Sequence, residues 1–196
     1  MDMDDPKKKF LLYIFFSNSV SSAFAQRGKG KDGRKRGVYQ PFPDTKRKEK
    51  FKDFLREFLE KYVDIKWRGK KQLSSAELED CMDKLKEEVD EGFSDILNKD
   101  NESKITFGTV QKLVNLYLKY LWCTRQIDFD PPHCPVDGQV LGKIDWDGPL
   151  WPDMQKGDYQ RAIMAITEKA RKKRYKSVAE WELEEWPSQN KFTVLA

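Results

Sequence analysis

The residues with the most chemical potential crowd one stretch of the chain. His133, the only histidine, stands beside Cys134 in the run Pro131-Pro132-His133-Cys134-Pro135, with Asp137 two positions on. Lys119 and Asn115 lie a little upstream, four residues apart and so on one helical face. An imidazole, an amine and a carboxylate could serve proton transfer on a phosphate ester, which makes Lys119, His133 and Asp137 the candidate catalytic residues. Asn115, Lys119, His133 and Cys134 are the residues expected to line a pocket, if one opens there. The alternative for the polar strip Gln111, Asn115 and Lys119 is a solvated face.

Other chemistry fits less well. Cys123, His133 and Cys134 are the only soft metal ligands near one another, and adjacent His-Cys matches no zinc spacing, so no metal and no cofactor are assigned. Neighbouring His and Cys rarely aim side chains at each other, which argues against a Cys134 nucleophile with His133 as base. Asp128, Asp130, Asp137, Asp145 and Asp147 could hold Mg²⁺ for phosphodiester hydrolysis, but aspartates among Gly and Pro ordinarily form turns.

These residues must be positioned by the element before the loop. Phe107, Val110, Val114, Tyr117 and Leu121 form one apolar stripe, with Leu113, Leu116 and Tyr120 beside it. A helix apolar around most of its circumference is covered by neighbours. Thr106 is its predicted N-cap, and Pro131-Pro132 bar continuation.

Gln111-Lys112, the run Asn115 to Trp122, the Pro131–Pro135 loop with Asp137, and Ala179-Glu180-Trp181-Glu182-Leu183 together resemble a family of bacterial proteins with no established function. The resemblance implies a bacterial or phage-related origin, an intracellular setting and a mobile-element or phage-defence context. It implies no activity.

The remaining helices follow from periodicity and caps. Asp5-Pro6 starts one predicted to run to about Gln26, with Phe10, Tyr13, Phe16, Val20 and Phe24 inward. Asp44 caps another with Phe51, Phe54, Leu55, Phe58, Leu59 and Tyr62 inward, and Val63 to Trp67 either extends it or runs out as a strand. Ser74-Ser75-Ala76-Glu77 and Ser177-Val178-Ala179-Glu180 read as capping boxes. Asp158 opens a helix ending in the basic run Arg171 to Arg174, which suits the helix dipole. The expected fold is all-α: a single-domain bundle of about six helices over 1–187, with an irregular Gly/Pro-rich segment at 128–153 and a tail at 188–196.

Charge supplies the functional expectation. The 196 residues carry a net +4, but between Arg27 and Lys52 eleven Lys/Arg face three Asp/Glu. Between Glu77 and Glu102 the counts reverse, eleven acidic against three basic. Arg27, Lys29, Lys31, Arg34, Lys35 and Arg36 sit among glycines in a segment (27–43) read as a flexible loop, and Lys46 and Arg47 continue the patch. These eight are the candidate nucleic-acid contacts, through counterion release from phosphates. Tyr39 and Phe42 could stack on bases. The expected function is a small binding module for DNA or RNA. One alternative is a metal-dependent nuclease or nucleotide hydrolase at the central helix and loop. Another is a protein-interaction partner, or self-association, through complementary faces.

Aromatic residues at 13% exclude a disordered chain. Three cysteines without repeated spacing suit a reducing, cytoplasmic setting, and no membrane role is expected. The alternative is secretion: Lys7-Lys8-Lys9, an apolar run and Ala23-Phe24-Ala25 imitate a signal cleaved after Ala25.

Overall fold

Side-chain caps decide where most helices begin. In the computed structural model, which describes residues 5–25, 27–29, 35–40, 43–67, 69–99 and 102–185, Asp5 accepts from the Lys7 N–H and starts α1, Pro6–Ala23. Asp44 accepts from the Arg47 N–H and starts α2, Thr45–Leu59. Ser74 and Glu77 close a reciprocal capping box on α3, Ser75–Phe93. Thr106 caps α4, Phe107–Cys123. Each cap satisfies N–H groups that the helix itself cannot.

The rest is shorter. Asp137 caps the single turn α5, Gly138–Leu141. A 3₁₀ turn, Trp151–Asp153, precedes α6, Lys156–Lys172, and α7 spans Val178–Glu185. Asp158 accepts from the Gln155 N–H, so α6 opens two residues earlier than expected. Ser177 accepts from the Glu180 N–H, while the Glu180 carboxylate takes the Lys176 N–H, so only half of that predicted box forms. Seven helices among the described residues make the fold all-α. Of these residues, no helix is long and apolar enough to cross a membrane.

One alternative is decided, in favour of an extended helix, and two expectations are corrected in detail. Val63 to Trp67 is no strand, because α2 widens into a π-helical stretch, Glu60–Lys66, that buries Val63 before Trp67 packs into the core. In α1 the inward line is Phe15, Phe16, Ser19, Val20 and Ala23, while Phe10 and Tyr13 face outward. An unbroken apolar run from Phe10 to Phe16 leaves the face undefined by period, and packing on α4 selects it, with Phe15 stacked on Tyr120 at 5.4 Å. The basic segment is not simply a loop. The backbones of β1, Arg27–Lys29, and β2, Lys35–Arg36, pair antiparallel.

α4 runs through the core. It packs on α1, α3, α6 and the 3₁₀ turn. Gly108 makes the last contact possible, since a Cβ there would stand 1.6 Å from the Trp151 carbonyl oxygen. The irregular segment still supplies core residues, among them Val136, Val140, Trp151 and Met154.

Both α4 and α6 end in the same way. Gln126 N–H reaches Leu121 O and Arg125 N–H reaches Trp122 O, the paired bonds of a Schellman turn. Tyr175 to Ala170 and Arg174 to Arg171 repeat it at the end of α6. The left-handed position, ordinarily glycine's, is held by Arg125 at φ 56° and Arg174 at φ 64°.

Candidate functional site

The polar strip of α4 is buried, not solvated. Gln111 is 0% exposed and Asn115 1%. Against them lies the Pro131–Pro135 loop, with His133 and Cys134 also buried. Gln111 holds this loop as a strand partner would: its Nε2 donates to Val136 O at 2.7 Å and its Oε1 accepts the Val136 N–H at 3.1 Å. The second Nε2 proton goes to Gly108 O.

From Gln111 the bonds continue in one direction. Asn115 Nδ2 donates to Gln111 Oε1 at 3.3 Å and to the Tyr159 hydroxyl at 2.9 Å. A hydroxyl that accepts there has its own proton to give, and His133 Nδ1 stands 2.8 Å away. When the hydroxyl gives that proton to Nδ1, the neutral imidazole carries its own on Nε2. The electrostatics agree. Burial drives the His133 pKa down to about 4 and pushes the Tyr159 hydroxyl far up, so both are neutral.

Two ion pairs flank this chain. Lys119 Nζ reaches both carboxylate oxygens of Glu182 on α7, at 2.7 and 3.0 Å. Burial raises the Glu182 pKa, and Lys119 pulls it back. Lys112 Nζ lies 3.3 Å from Asp137 and over the Trp151 ring. Asp137 also caps α5 through Oδ1, and Cys134 is a buried thiol held protonated by desolvation.

The structure thus brings Asn115, Lys119, His133, Cys134 and Asp137 together, packed on one another and on neighbours, with Asn115 Oδ1 buried and without a hydrogen-bond partner among the described residues. Sequence reasoning missed Lys112, Tyr159 and Glu182. Lys112 had a signal, being a cation in an apolar helix, whereas Tyr159 and Glu182 lie 44 and 63 positions from their α4 partners.

The metal readings find no geometry. Among the described residues no three His, Cys, Asp or Glu side chains stand close enough for a metal. Cys123 is exposed while Cys134 is buried. The aspartates disperse: Asp128 pairs with Lys71, Asp130 accepts from Trp122 Nε1, Asp137 is committed as above, and Asp147 lies 3.9 Å from Arg161.

The basic surface is more mixed than its sequence. Lys31, Arg34 and Phe42 lie outside the described residues, as do the side chains of Arg27, Lys29, Lys35 and Arg36. Their backbones pair Arg27 with Arg36 and Lys29 with Lys35, with an irregularity in the register between the two pairs. On α2, Lys46, Lys50 and Lys52 are exposed. Arg47 is drawn inward, donating to Asp95 and Gly92 O and covering the Phe93 ring. Tyr39 is no free stacking platform. It bridges Leu97, packs on Phe24 and Phe51, and carries Lys48 over its ring. The acidic helix α3 is partly neutralised from within, since Glu79 and Asp83 receive Lys156 of α6.

Comparison of the chain with protein-family models, curated proteins and solved structures finds no match.

Proposed function

We propose that the protein is a nucleic-acid-binding module whose contact surface is the basic hairpin and the exposed lysines at the start of α2. The observation that carries the reading is the hairpin register, which sets cation opposite cation at both paired positions, Arg27 with Arg36 and Lys29 with Lys35. Two paired strands that each carry basic residues offer a phosphate chain several cations within a short span, and each contact releases counterions from the nucleic acid.

Lys46, Lys50 and Lys52 extend the surface, and among the described residues no acidic side chain lies within ion-pair distance of them. Arg47 belongs to the fold instead. The contacts are to phosphate and carry no sequence preference. A bacterial phage-defence or mobile-element setting and a cytoplasmic location rest on the sequence resemblance and cysteine usage alone.

The buried seam is read as the device that fixes the loop and α7 onto α4. Every candidate catalytic group in it already has a protein partner. The test is binding of labelled DNA and RNA by the intact chain and by R34Q/K35Q/R36Q. Losing three phosphate contacts lowers affinity by about tenfold or more at moderate salt. Unchanged affinity in the variant refutes the assignment.

A further inference from the structure

The basic run closing α6 is not accounted for by helix capping alone. Arg171, Lys172, Lys173, Arg174 and Lys176 are all exposed, five cations in six positions. Half a charge at a helix C-terminus needs far less compensation. Three of the nearby acids are engaged. Glu168 pairs with Lys172 and also feels Arg171; Glu185 pairs with Lys173; Glu180 accepts the Lys176 N–H. Among the described residues, Arg171, Arg174 and Lys176 have no acidic side chain within ion-pair distance.

The backbone adds an independent observation. Arg174 occupies the left-handed position of a complete Schellman turn, φ 64°, where glycine is the strain-free residue. Tyr175 packs behind it against the core. The turn therefore holds a strained arginine at a fixed, exposed corner. The same strain at Arg125 shows that the turn alone does not single out Arg174; the surrounding run of exposed cations does.

We propose that this α6–α7 corner, through Arg171, Arg174 and Lys176, is a second phosphate-contact surface for the nucleic acid. The proposal rests on the nucleic-acid reading but not on the hairpin. Guanidinium groups suit phosphate oxygens, and the corner's cations outnumber its acids. Arg125 is the built-in control, with the same turn and left-handed arginine but no run of cations around it.

The strain makes the test clean, because the informative substitution stabilises the fold. Arg174→Gly should raise the melting temperature by about 2–4 °C and make the slope of log affinity against log salt less negative by about one. R171Q/R174G/K176Q should lose about three in slope on a labelled DNA duplex. R125G should also raise the melting temperature and leave binding unchanged.

A triple variant with the intact protein's slope and affinity overturns the proposal while leaving the hairpin reading standing. Loss in this variant with R34Q/K35Q/R36Q unaffected supports the corner and refutes the hairpin. No duplex binding by the intact protein overturns both. Loss seen only on phosphatidylserine vesicles overturns the choice of nucleic acid as the ligand.

Discussion

Replacing Lys119 by Met isolates what the buried seam does. The ammonium lies 2.7 and 3.0 Å from the two Glu182 oxygens, and the side chains are only 16% and 4% exposed. Removing one partner of such a pair leaves an uncompensated buried charge, at about 3–5 kcal/mol. Lys119 keeps some solvent contact, so the lower end, about 3 kcal/mol, is expected. In a chain of this size that lowers the melting temperature by roughly 6–12 °C.

Guanidinium denaturation followed by circular dichroism reads the loss directly. K119M/E182L removes both charges and should recover most of it. The pH dependence has a definite sign. Burial raises Glu182 above its ordinary 4.5, and K119M removes the opposing pull. A raised folded pKa means stability present at low pH and lost as pH rises, so the K119M deficit should shrink on acidification toward 4.5 and below. A cost under about 1 kcal/mol, as for a surface pair, refutes the claim that this contact is desolvated and fixes α7 on α4.

Three other outcomes follow from the same geometry. His133 moves from 6.5 to about 4 on folding, so its share of stability is complete above pH 6.5 and falls away toward pH 4. About 3 kcal/mol is lost in that window, and denaturation midpoints of His133→Gln should lack that dependence. Gly108→Ala places a Cβ 1.6 Å from the Trp151 oxygen, and the backbone on the other side cannot swing away. A cost of about 3 kcal/mol or an insoluble protein is expected, and a near-neutral melting shift contradicts the close approach. Arg47→Met should cost little stability, since its Asp95 contact is half-exposed, yet bind nucleic acid within about twofold of the intact chain, because that cation is already committed. A tenfold binding loss returns Arg47 to the contact surface.

What the sequence made legible was local chemistry. Asp5, Asp44, Ser74 and Thr106 cap where expected because a cap bonds only within its own first turn. The left-handed turns at Arg125 and Arg174 were not legible, since the signal for such a turn is glycine and neither has one, although the basic run did place the end of α6 within 171–174. Period located the strip Gln111, Asn115 and Lys119, and the loop with His133 was expected beside it, but Tyr159 and Glu182 were not. The covering groups, His133, Tyr159 and Glu182, are brought by a loop without period and by two later helices. The charge asymmetry was visible as composition. That Arg47 turns inward to Asp95 was not, because the two meet only when α2 packs against the end of α3.

The most direct measurement is a salt titration of duplex DNA binding by the intact protein. The hairpin's Arg27, Lys29, Lys35 and Arg36 with Lys46, Lys50 and Lys52 offer seven cationic contacts. Between about four and seven of these engaged contribute about −4 to −6 to the slope of log affinity against log salt, before any contribution from the corner of α6 and α7. A slope near zero, or no binding at the lowest salt, contradicts a phosphate-contact surface on this protein.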